Sequence, residues 1–186
     1  MEKNSTKNLI LTLSIIGIIS ALLLTFVYQW TSPYIQANQA ENQRKAINEV
    51  LSGAETIKQV EKDGETFYEG YSADGQRIGV AYKNSGGGYN GIIELMIGFD
   101  IENQKIFRIS VLSHEETPGL GARITEQEFK SNFVNKPFGQ YQVVKTPAQS
   151  ELDVEAISGA TISSVRTTRI IQDAVTKITK AYGGGK

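Results

Sequence analysis

The chain contains no cysteine and a single histidine, His114, among its 186 residues. These two shortages exclude Cys-ligated iron–sulfur clusters, Cys/His zinc sites, CxxC redox chemistry, structural disulfides and cysteine nucleophiles. Redox chemistry on such a chain has to be carried by a borrowed organic cofactor. A charge excess is lacking too, because 19 basic and 20 acidic residues leave a formal net charge of −1. The composition therefore offers no electrostatic footprint for nucleic acid. What charge there is avoids one stretch near the start.

Residues 9–27 read LILTLSIIGIISALLLTFV and carry no charge. A helix of that length, at 1.5 Å per residue, is about 28 Å long, close to the roughly 30 Å hydrocarbon core of a bilayer. A cleaved secretory signal has a shorter apolar region, about 7 to 15 residues, and small residues at its cleavage site. Here Phe26, Tyr28 and Trp30 close the run instead, as aromatics do at a membrane interface. The sequence predicts an uncleaved, single-pass span at 9–28 in the lipid bilayer of the cell membrane. Lys3 and Lys7 precede it, and no Lys or Arg follows until Arg44. The positive-inside rule then places residues 1–8 in the cytoplasm and the bulk of the chain outside.

Ser32 and Pro33 read as N-cap and first position of a separate, largely polar stalk helix over 32–52, closed by Ser52-Gly53. The exported domain is expected at 53–182. Strand patterns cover 66–71, 77–83, 91–99 and 105–112, with turn signals at Asp74-Gly75, at the Gly86-Gly87-Gly88 run and around Glu102-Asn103. Thr125 and Glu128 have the spacing of a capping box, and Phe129 with Phe133 predicts a short helix packed on a core. Residues 141–145 suit another strand. Ile171, Ala174, Val175, Ile178 and Tyr182 define one apolar face of a final helix that Gly183 ends. The expected class is α+β: one transmembrane helix, then a mostly antiparallel sheet with packed helices. Residues 183–186 are expected as a flexible tail.

Two polar, glycine-containing segments stand out. In Glu116-Thr117-Pro118-Gly119-Leu120-Gly121 the proline fixes φ, the glycines allow left-handed backbone and close approach of a planar ligand, and Leu120 is pushed outward. An ordinary turn is an equally open reading of its composition. Ser158-Gly159-Ala160-Thr161-Ile162-Ser163-Ser164 precedes the last helix and offers free N–H groups, a positive dipole end and four hydroxyls, more than an N-cap needs. It has neither the lysine of a P-loop nor the GxGxxG spacing, which disfavours a nucleotide triphosphatase.

Ser158-Gly159-Ala160-Thr161, the upstream ETPGLG segment and the Gly88-Tyr89 plus Gly91 stretch together resemble the FMN-binding domain shared by the G subunit of the Rnf complex and the C subunit of the sodium-pumping NADH:quinone reductase. The likeness runs over about residues 33–182, and the short chain resembles the Rnf subunit more than its usually longer relative. The resemblance implies covalent FMN, attached by a phosphoester to Thr161. Ser158, Gly159, Ala160 and Ser163 would lie at the phosphate, and Glu116, Thr117, Leu120 and Gly121 at the ring. It also implies an electron-carrier subunit rather than a stand-alone enzyme, with other membrane subunits of an ion-translocating ferredoxin:NAD oxidoreductase as partners. An anchored flavin-binding regulatory module is the alternative of another class.

A threonine hydroxyl needs a base or metal to act as a nucleophile, and no histidine is near Thr161 in the sequence, which disfavours self-modification; the resemblance implies a separate flavin transferase. The family pattern commonly has Asp six residues before the threonine; this chain has Glu155. Arg123 reads either as a partner for ligand charge or as a surface ion pair, and His114 as a flavin-tuning or merely solvated residue.

Overall fold

The computed structural model describes residues 2–183, with side chains from Thr6 onward. The side chain of Lys3 and the tail residues 184–186 lie outside that description. The chain divides into two units, Met1–Glu41 and Asn42–Lys186.

The first unit is formed by α1, a helix over Glu2–Val50 that continues into the second. Its most apolar 18-residue window has a mean hydropathy of 2.6 and no buried side chain, so it is long and apolar enough to cross a membrane. The hydroxyl of Thr25 donates to the Ala21 carbonyl (2.8 Å) and that of Thr31 to the Val27 carbonyl (2.9 Å). Within the apolar run such back-bonding satisfies the Thr25 hydroxyl, which hydrocarbon cannot. Ser32 and Pro33 do not start a helix, because α1 runs through them with Pro33 inside. Proline forfeits one backbone bond, and the helical residues on both sides carry the helix past it.

In the second unit the end of α1 is core. Ala46, Ile47, Val50 and the following Leu51 are buried with Ala81 and Met96 of the sheet, so this part of the expected stalk packs rather than spaces. The sheet is an antiparallel meander of β1 (Thr56–Lys62), β2 (Glu65–Tyr71), β3 (Arg77–Gly87), β4 (Ile92–Asp100), β5 (Lys105–His114) and β6 (Lys136–Pro137), in that spatial order. Between β1 and β2, Asp63 and Gly64 take φ of 52° and 78°, the backbone a two-residue hairpin requires. Two short strands, β7 (Gln142–Val144) and β8 (Asp153–Glu155), pair in parallel.

Both faces of the sheet are covered. Ala81 and Met96 face the end of α1, whereas Val80, Tyr82, Leu95 and Ile97 join the larger core with Ile170, Ile171, Ala174, Val175 and Ile178. The period of two along each strand sorts neighbours to opposite faces, which is why β4 reads as a nearly unbroken apolar run. In the final helix, α3 (Thr161–Tyr182), Ile171, Ala174, Val175 and Ile178 are buried as the apolar spacing predicts, and Tyr182 is partly buried and stacks edge-on with Phe67 at 5.4 Å. Ser163, Ser164, Thr167, Thr168 and Ile170 are buried as well.

Two local expectations give way. The glycine run does not end β3, which includes Gly86 and Gly87 and pairs them with Ile93 and Ile92. A Cβ on Gly86 would come within 2.7 Å of Ile170, so the bare strand lets α3 lie close. The capping box is not formed either. The Thr125 hydroxyl turns back to the Ala122 carbonyl (2.9 Å), ending a 3-10 turn over Gly121–Thr125, and α2 (Gln127–Ser131) starts after Glu126 without a side-chain cap. Phe129 and Phe133 are buried and edge-to-face at 5.6 Å.

Candidate functional site

Two tight turns face each other at the amino end of α3. In Thr117-Pro118-Gly119-Leu120, the Leu120 amide donates to the Thr117 carbonyl at 3.2 Å and Gly119 has φ +75°. In Ile157-Ser158-Gly159-Ala160, the Ala160 amide donates to the Ile157 carbonyl at 2.9 Å and Gly159 has φ +80°. A positive φ at the third place is the type II pattern, which favours glycine there. The turns touch, since a Cβ on Gly159 would lie 3.3 Å from Leu120 Cδ2.

Thr161 is the first residue of α3, and its N-cap, Ala160, supplies no side-chain hydrogen bond. The first amides of the helix therefore stay uncapped, at the positive end of its dipole. The hydroxyls divide their work. Ser164 Oγ accepts from the Ile157 amide (3.0 Å) and donates to the Ala160 carbonyl (3.1 Å), bracing the turn. Ser163 Oγ donates to Glu116 Oε2. Among the described residues, no protein group pairs with the hydroxyls of Ser158 and Thr161.

Glu116 ties three segments together. Its Oε1 accepts from the amides of Tyr89 (2.7 Å) and Asn90 (3.1 Å), its Oε2 from Ser163, and the group is only 4% exposed. Burial opposes its ionisation, yet the bonds from Ser163, Asn90 and Tyr89, with His114 nearby, outweigh that and hold the carboxyl below its ordinary value. The glycines around it make the room: a Cβ on Gly88 would sit 2.2 Å from Oε1, and one on Gly121 2.3 Å from Oε2.

These elements enclose an open cavity of about 640 Å³. Thr161, Ser158, Gly159, Ala160 and Ser163 form one wall; Glu116, Thr117, Leu120 and Gly121 form another. The two motifs, 37 or more residues apart in sequence, thus meet in one place. Tyr89, Ile162 and Lys145 also line it. Lys145 carries no signal in the sequence; it follows β7 as an exposed residue, and only the parallel pairing of β7 with β8 brings it here. Arg123 is not on the wall: it pairs with Glu126 (3.1 Å) and Glu128 (3.3 Å). Nor is His114, whose Nδ1 accepts from the Glu116 amide (3.2 Å). Glu155 is more than a solvated acid, as its carboxylate accepts from the Ala148 amide (2.9 Å) and its amide donates to Asn132 (2.8 Å).

The cavity suits a flavin mononucleotide on its own chemistry. Its volume lies within the roughly 300 to 1,000 Å³ usual for small-molecule sites. Uncapped amides and free hydroxyls at a helix start fit a phosphate. Tyr89, Leu120 and Ile162 keep 65%, 47% and 52% of their surface exposed, an apolar lip that a planar ring would cover.

Comparison with known proteins agrees. Residues 88–176 match the model of the FMN-binding domain, and residues 1–50 that of the RnfG N-terminal region. The chain is 34% identical to the G subunit of the ion-translocating oxidoreductase complex of Methanosarcina acetivorans, covering 98% of each chain. This chain belongs to that G-subunit family. A further family member, the G subunit of the proton-translocating ferredoxin:NAD(+) oxidoreductase complex of Clostridium ljungdahlii, is 31% identical over 96% of this chain and 92% of its own. Among solved structures, the C subunit of the Na(+)-translocating NADH-quinone reductase of Parabacteroides distasonis superposes with a TM-score of 0.62 at 20% identity, covering 81% of this chain and 96% of that one. NqrC of Shewanella oneidensis gives 0.52 at 19%, covering 69% and 67%. This member of the G-subunit family and those two proteins share the fold of the second unit's sheet and helices.

Proposed function

We propose that this chain is the membrane-anchored electron-transfer subunit of an ion-translocating oxidoreductase complex and carries FMN joined through its phosphate to Thr161. The observation that carries the reading is the convergence of the two motif turns on one cavity, with a free threonine hydroxyl beside uncapped helix amides. The bound flavin supplies electron uptake and release at its ring.

The chain's own residues bind and orient it. The amides at the start of α3, with Ser158, hold the phosphate. Ser163 gives its only hydroxyl hydrogen to Glu116 and so meets the phosphate with its backbone N–H. Leu120, between Gly119 and Gly121, lies against the ring, while Glu116 fixes the loop that presents it. His114 Nδ1 is spent on the Glu116 amide and does not serve as a base for Thr161, and Arg123 is held by its acidic neighbours rather than by ligand charge. Attachment is assigned to a separate flavin transferase, as the family resemblance implies. The other membrane subunits are its electron partners, with the N-terminus in the cytoplasm and the flavin domain outside. Residues 9–27 contain no ionisable group, so ion movement belongs to the rest of the complex.

Coexpression with a flavin transferase tests this. The full chain should run as a fluorescent band on a denaturing gel with the mass of one added FMN phosphoester, and Thr161→Ala should abolish both. A dark wild-type band of unmodified mass defeats the reading.

A further inference from the structure

The cavity wall carries one acidic and one basic side chain among its described residues, Glu116 and Lys145. They are not equivalent. The charge of Glu116 is met by three donors from the protein, whereas Lys145 forms no ion pair or hydrogen bond among the described residues. Cations on the flanking segments are committed instead. Arg123 is paired with Glu126 and Glu128. Lys130 is paired with Glu49 at 3.3 Å. Lys136 is buried and donates to the carbonyls of Glu151 (2.6 Å) and Asp153 (2.7 Å).

The position of Lys145 is also fixed by backbone rather than chance. Val144 is opposite Glu155 in the β7–β8 ladder, and its carbonyl takes the Ala156 amide at 2.8 Å. Lys145 therefore stands level with Ala156, at the entry to the Ile157–Ala160 turn. A free ammonium is thus built onto the wall of a cavity whose other charged side chain among the described residues, Glu116, is already met by three donors.

We propose that Lys145 is a positioning residue that tunes the flavin, its ammonium offsetting the negative charge gained on reduction. The inference rests on the FMN reading above. Uptake of two electrons and one proton leaves an oxidised flavin with one more negative charge than before. A positive charge on the cavity wall favours the reduced form by Coulomb attraction, which the open, solvent-facing side of the cavity screens in part. Lys145 thereby raises the flavin's potential.

The test is a reductive titration with dithionite and mediators on the full chain in detergent, flavin-loaded by coexpression with a transferase. Lys145→Gln should lower the midpoint potential by about tenfold in the ratio of reduced to oxidised flavin at fixed potential, about 30 mV for a two-electron couple. Lys145→Glu should lower it further, and Lys145→Arg should keep the wild-type value. Lys105→Gln, a charge change off the cavity wall, should not move it. Because Lys145 is exposed, its variants are expected to fold. Loaded Gln and Glu variants with the wild-type potential overturn the inference and leave the FMN reading standing. An unloaded wild-type chain defeats the FMN reading itself.

Discussion

The two turns that meet at the cavity share a backbone and differ in what holds them. The Ile157–Ala160 turn is braced from its own helix by one neutral hydroxyl, Ser164, seven residues from the amide it caps. The Thr117–Leu120 turn follows a buried carboxylate, Glu116, which reaches to Tyr89 and Asn90 on one side and Ser163 on the other. The turn before Thr161 thus rests on a local, uncharged brace, while the Thr117–Leu120 turn depends on a charge that crosses three segments. The contrast teaches that one turn is set once α3 forms, and the other only when the whole site assembles.

Removing each brace measures that contrast, and the larger loss belongs to Glu116. Glu116→Ala strands three donors in a place where a bond to a charged group is worth about 1.5 to 3 kcal/mol. Chemical denaturation should show a loss of about 3 kcal/mol. Ser164→Ala leaves the buried Ile157 amide unpaired and should cost about 1.5 kcal/mol on the same scale. Equal costs would erase the distinction between a local and an assembled brace.

The glycines sharpen the comparison at the next level. Gly159→Ala and Gly119→Ala each force a side chain into left-handed backbone, about 1 to 2 kcal/mol. A Cβ on Gly119 meets nothing within 4 Å, but one on Gly159 meets Leu120 at 3.3 Å. Stability should therefore fall similarly in both, whereas flavin loading, read from in-gel fluorescence, should fall further in Gly159→Ala.

How much of this is legible in the sequence depends on the range of the signal. The apolar face of α3, the hairpin of β4 and β5 and the two motif loops are local patterns, and the sequence displays them. β1 is polar and half-exposed and lacks a strand pattern of its own, although Asp63-Gly64 marks its turn. The glycine run at 86–88 reads as a loop because the reason for it, Ile170 and the Glu116 carboxylate, is far away in sequence. Glu116 itself is legible as a site residue, but its three donors come from positions 89, 90 and 163. Lys145 gives no local signal, since strand pairing alone brings it to the wall. Thr125-Glu128 gives a false one, because the hydroxyl finds the Ala122 carbonyl of a tighter turn.

The smallest effect is the one that isolates charge. The Glu116 carboxyl titrates below its ordinary value near 4.5 in the folded chain, so the unfolded chain binds its proton first as the medium is acidified. Its contribution to stability is complete above about pH 4.5 and is lost as the pH falls through the lower, folded value. Glu116→Gln lacks that titration. Glu65, held down chiefly by the Tyr82 hydroxyl, and Glu69, held down against burial by Tyr71 and Tyr182, titrate alike in both proteins and cancel. The stability gap between wild type and Glu116→Gln, from denaturation midpoints at pH 7 and pH 3, should therefore narrow toward the acid side. The gap for Ser164→Ala should stay constant with pH, because its hydroxyl carries no charge to lose. A gap for Glu116→Gln that does not narrow would mean that the Thr117–Leu120 turn, like its partner, is held by geometry rather than by ionisation.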